Sequence, residues 1–135
     1  MVENATDNEI IDEFTEILID WWETWYEVCT DAFKDLTNYL IVRSVGIYTL
    51  HKLLRELIDD LLGFNLWPTR KIFKKILARM DEGTTIHFWS TSGEAGFAGG
   101  GTEKASNILS KRLMQSAKIA LFSLLREGEI YAESL

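Results

Sequence analysis

The sequence predicts an all-α fold: a compact bundle of about five helices, with a minor two-stranded β element, in one helical domain over residues 1–135. Three observations carry the prediction. Apolar residues recur at three- and four-residue spacing through most of the chain, the period of an α-helix. A 47% hydrophobic content with a single proline describes an ordered chain, and 135 residues suffice for one core. Only one short run, TTIHFWS (84–90), has the β-branched and aromatic composition of a strand.

The first helix spans Asp7 to Cys29, and the polar residues Asn4 to Asn8 supply its cap. Ile10, Phe14, Ile17, Leu18, Trp21, Trp25 and Val28 form an apolar stripe. Ile11, Ile19, Trp22, Tyr26 and Cys29 form a second apolar edge beside it. Glu9, Asp12, Glu16, Glu23 and Glu27 occupy the far side. The apolar arc is wider than one helix contact needs, so either several neighbours surround this helix or part of the arc waits for a partner. DAFKDLTNYLIV continues the stripe through Ala32, Leu36 and Tyr39, as one long helix or as a second helix after a kink near Thr30. Ser44 to Tyr48, with Gly46, reads as the turn that follows.

Thr49 is placed to cap the next helix, where Leu50, Leu53, Leu54, Leu57, Ile58, Leu61 and Leu62 recur at helical spacing. Lys52–Glu56 and Arg55–Asp59 are i,i+4 pairs on its outside, and Gly63 is placed to close it. Pro68 opens a fourth helix ending near Gly83, which buries Ile72, Phe73, Ile76, Leu77 and Met80. Arg70, Lys71, Lys74, Lys75 and Arg79 make its other face basic. Strand 84–90 would pair with 129–133, and a Gly-rich loop covers 93–101. Thr102 caps the last helix, to about Arg126, whose segment 117–125 is apolar almost all round and so central or in a subunit interface. Leu54, Leu57, Leu61, Phe73, Ile76 and Leu113 are the expected core.

Charge is divided unevenly. Residues 1–36 hold eleven acids and one base, a net of −10; residues 37–135 hold ten acids and thirteen bases, a net of +3. Such a chain can present its acidic end to a basic partner or pair head to tail with itself. Asp20, Arg43 and Lys52 interrupt every apolar run long enough to span a membrane. No signal-peptide pattern precedes the first acids, and the one cysteine, Cys29, excludes an internal disulfide. The expected location is therefore intracellular and reducing, in the cytoplasm.

Catalysis and cofactors find little support. His51 and His87 are the only histidines and read as partly buried structural residues. Ser90 and Ser92 stand near His87 without an acid to complete a triad. Cys29 lies on an apolar edge among acids, which raises a thiol pKa. No His/Cys cluster suits a metal. Gly96 to Gly101 has the spacing of a phosphate loop, but Thr102-Glu103 stands where that loop requires Lys and Ser/Thr.

The expected function is non-enzymatic protein binding through the first helix, at Glu16, Ile19, Trp22, Glu23, Tyr26 and Glu27. Trp and Tyr are common interface anchors. Small acidic inhibitors or adaptors of the viral and phage accessory type fit this description. Residues 57–86 also resemble a helix-turn-helix, of the winged kind. LIDDLLGF stands for the first helix and its turn, PTRKIFKKILARMDEG for the recognition helix, and TTIHFWS with the Gly loop for strand and wing. The resemblance covers about thirty residues and implies major-groove DNA binding by Arg70, Lys71, Lys74, Lys75 and Arg79. The region from Ser90 to Thr102 lacks a wing's basic tip, since its only charge is Glu94. A third reading is a self-assembling subunit, joined through the first helix or 117–125.

Overall fold

Thr6 starts the first helix: its hydroxyl accepts the amide N–H of Glu9 at 3.2 Å, and Asp7 and Glu9 sit at the positive end of the helix dipole. In a computed structural model, which describes residues 6–97 and 101–132, this helix is α1, Asp7–Val28. It is followed by α2 (Thr30–Phe33), α3 (Ser44–Gly63), α4 (Arg70–Arg79), a 3₁₀ turn (Ile86–Trp89), α5 (Glu94–Phe97) and α6 (Thr102–Arg126). The chain is mostly helical, with six α-helices among the described residues. No helix of the described residues is long and apolar enough to cross a membrane.

The long helices pack in the order α1, α4, α6, α3. Glu27 and Glu23 meet Arg70, whereas the Trp21 ring meets Phe73 at 5.1 Å, so α1 runs antiparallel to α4. Arg79 meets Ser123 and the Asp81 amide meets Ser116, so α4 runs antiparallel to α6. Lys52 reaches Ser106 and Phe64 packs on Phe122, so α6 and α3 run parallel. The six expected core residues are all buried, with Leu54 the most exposed at 4%. The small side chains Ala105, Ser106, Ser110, Ala117 and Ala120 are buried along α6, where they let a neighbouring backbone approach. The segment 117–125 is therefore one-sided: Ala117, Ala120, Leu121 and Leu124 are buried, while Ile119 and Phe122 face outward.

Several local expectations are corrected. The described residues hold no strand; within 84–90, Ile86–Trp89 folds as the 3₁₀ turn, with one isolated antiparallel bridge between Tyr39 and Ser90. The predicted partner 129–133 forms no ladder as far as it is described: the Glu129 N–H bonds back to Leu124, and Ile130 is buried. Residue 133 lies outside the described residues. The composition of 84–90 serves burial, since Phe88 and Trp89 pack edge-to-face and the Trp89 indole N–H donates to the Gly83 carbonyl at 2.7 Å. Within 93–101, Glu94–Phe97 is the helical turn α5, and 98–100 lie outside the described residues.

The helix boundaries move too. α1 stops at Val28, and α2 is one turn rather than a long continuation. Gly46 lies in the first turn of α3, where a Cβ would stand 2.2 Å from the Ile41 carbonyl oxygen; it is needed for close backbone approach. Thr49 is inside α3, bonding to Val45 O. Asn65, not Gly63, takes the left-handed conformation after α3 (φ 58°). Thr69, not Pro68, caps α4, and Gly101 rather than Thr102 stands at the N-cap of α6. Lys52 bonds to Ser106 and Asn107 instead of Glu56.

Candidate protein-binding site

α1 is two structures in one helix. From Ile17 onward it is built into the core. Trp21 packs on Phe73, Trp25 on Trp89 at 6.2 Å, and Trp22 and Tyr26 both meet the Phe33 ring. The Trp22 indole N–H donates to His51 Nε2 at 3.1 Å. From Asp7 to Glu16, no residue is buried. The reason is length. A 10-residue helix covers about 15 Å of an antiparallel partner, and a 22-residue helix spans about 33 Å. Pairing that begins with Glu27 at Arg70 exhausts α4 near Ile17, and beyond it burial is only partial, at Ile10 and Glu13.

The unburied half is strongly amphipathic. Ile11, Phe14 and Leu18, at i, i+3 and i+7, are 59%, 49% and 42% exposed and make one ridge. Ile19 lies beside it, half exposed. Of the acids in this half only Asp7 adjoins the ridge; Glu9, Asp12, Glu13 and Glu16 lie toward the opposite side of the helix, with no base between Asp7 and Leu18. The ridge continues the line of Trp22, which α2 covers.

The residues expected to bind a partner therefore divide. Glu16 and Ile19 are open to solvent on this half. Trp22 and Tyr26 are engaged with α2, although Tyr26 keeps an exposed edge. Glu23 and Glu27 clamp α1 to α4: Arg70 bridges both, and Lys74 Nζ lies 3.3 Å from Glu27. Hydrogen bonds from Arg70 and Lys74 hold the Glu27 carboxyl below its ordinary range. Sequence reasoning placed Ile11, Phe14, Leu18 and Val28 on the apolar arc without naming them among the partner-binding residues, and all four are exposed. The excess width of the apolar arc was the available signal, as was the length mismatch between the first and fourth helices.

The basic face of α4 is largely engaged within the chain. Besides Arg70 and Lys74, Lys75 Nζ stands 4.0 Å from Glu129 and donates to its backbone carbonyl, and Arg79 pairs with Glu127 at 2.6 Å. Lys71 has no ion-pair partner among the described residues. Lys71 and Lys75 instead line a groove of about 860 Å³ between α4, the linker after α3 and the C-terminal segment, together with Leu62, Trp67, Ile72 and Tyr131.

The other candidate chemistry is dispersed. His51 and His87 are both exposed, and His87 sits in the 3₁₀ turn rather than a strand. The Ser90 and Ser92 hydroxyls bond to each other at 3.0 Å. Cys29 is buried, and burial pushes its thiol up to about 12, so it stays protonated and inert. Among the described residues, no three His, Cys, Asp or Glu side chains cluster as metal ligands. Gly93 and Gly96 stand against the carbonyls of His87 and Thr91, where a Cβ would lie 2.0 Å from each oxygen, so these glycines serve close packing. Compared with protein-family models, curated proteins and solved structures, the chain matches none.

Proposed function

We propose that this protein is a non-enzymatic binding module whose first ten to twelve helical residues form a docking arm for another protein. One observation carries the reading: the ridge Ile11–Phe14–Leu18 is exposed on a helix whose other half is anchored in the core. A helix that enters a groove presents anchors at i, i+3 and i+7, as this ridge does. The five acids of this half, with no base among them, favour a partner of basic charge. Anchorage through Trp21 and Trp25 lowers the entropy lost on docking, because the arm continues a formed helix. The acids at Glu23 and Glu27 are occupied by α4, which moves the binding face toward the N-terminus, to Glu16, Ile19 and the ridge.

The helix-turn-helix alternative has less support. Four of its five bases are paired with acids of this chain, and strand and wing are replaced by the 3₁₀ turn and α5. The test is retention of partners on the immobilised full chain, compared with Phe14→Ser/Leu18→Ser. The variant should keep its helical circular dichroism and lose what the parent retains. Identical retention by both would remove the arm from the function.

A further inference from the structure

We infer that the arm docks on a second copy of this chain, in the groove lined by Leu62, Trp67, Lys71, Ile72, Lys75 and Tyr131. The inference rests on reading the first half of α1 as a docking arm. Two features of the groove fit that occupant. Its apolar lining comes from large side chains that solvent reaches: Leu62 is 45% exposed, Trp67 37% and Tyr131 70%. Its charge is net basic, because Lys71 and Lys75 face the single acid Glu129, which already lies beside Lys75.

The groove cannot be filled by its own arm. It lies at the start of α4, beside Arg70, where the C-terminal end of α1 is clamped by Glu23 and Glu27. Ile11 is sixteen residues back along the same helix, about 24 Å away. The arm leaves at the far end of α4 and meets a groove only on another molecule. Such a contact joins two different surfaces and repeats, giving head-to-tail chains or rings. The division of charge along the sequence, −10 in the first 36 residues and +3 in the remainder, orients successive copies in that sense.

The experiment is light scattering of the full chain across a concentration series, at low and high salt, with and without a random DNA duplex. Two variants change exposed residues only: Phe14→Ser/Leu18→Ser breaks the arm, and Lys71→Glu/Tyr131→Ala breaks the groove. The parent should form species that grow with concentration and shrink with salt. Each variant should raise the apparent dissociation constant about tenfold or more. Mixed together, the two variants should form a one-to-one dimer and nothing larger, because only one intact arm and one intact groove remain per pair. A parent monomeric at every concentration overturns the inference, as does a mixture that forms no dimer. A salt-sensitive shift with DNA but no self-association also overturns it, in favour of nucleic acid. If the parent is monomeric while the arm variant still loses other retained proteins, self-docking fails and the arm reading stands. If assembly survives the broken arm, both fail.

Discussion

Gly46 and Gly63 lie at opposite ends of α3 and should respond oppositely to alanine. At Gly46 the new methyl meets the Ile41 and Leu40 carbonyl oxygens within 2.3 Å, both fixed backbone atoms; at Gly63 it meets open space. Gly46→Ala should cost about 1–3 kcal/mol through overpacking, and Gly63→Ala should gain up to about 1 kcal/mol in helix propensity. Thermal melts of the two variants check the signs. The buried tryptophans offer a second contrast. Trp89 donates to Gly83, whereas the Trp25 indole N–H meets no acceptor among the described residues. Trp89→Phe should therefore cost about 1 kcal/mol more than Trp25→Phe, read by urea titration. The core side chains were legible in the sequence because period and hydrophobicity select Leu57 or Phe73 without tertiary knowledge. The role of Gly46 was not legible, because its need for space comes from carbonyls five and six residues earlier and not from a turn of its own.

For α1, the two halves should separate on mutation. Phe73→Ala removes the ring under Trp21 and should cost about 3–5 kcal/mol. Phe14→Ser and Leu18→Ser should stay within about 0.5 kcal/mol of the parent, since both side chains are already exposed. Equal losses in the two halves, measured by denaturant titration, would contradict this division. The clamp between α1 and α4 also titrates. Glu27 has a carboxyl lowered in the folded state, so its contribution is present above the ordinary value of 4.5 and disappears as pH falls through the lowered one. Stability should decline over that acid window, and Glu27→Gln should flatten the decline. The effect is small because the pair is exposed and screened. Helix positions were readable from periodicity, whereas TTIHFWS was not: a short apolar run suits a strand or a buried turn equally, and the packing of Trp89 on Trp25 decides. The outline of the proposed binding face was readable as an over-wide apolar arc. Its position was not, because α4 and α2 cover one half and leave the other.

At the scale of the molecule, the first half of α1 is acidic and carries an exposed apolar ridge, and the start of α4 carries a groove lined by Lys71 and Lys75. The sequence contains the charge division in full. The ion pairs that engage most of the α4 bases depend on helix order in space and were not legible in the sequence. An unsupported helix of about ten residues is marginal in water, so the arm's helicity depends on its anchored half and on its partner. The most direct measurement is hydrogen exchange along α1 in the dilute full chain. Amides of residues 19–28 should be protected nearly to the level of global unfolding, while those of 8–16 exchange through local fraying. Uniform protection from Asp7 to Val28 would mean that the body already covers the whole helix, and would contradict the docking arm.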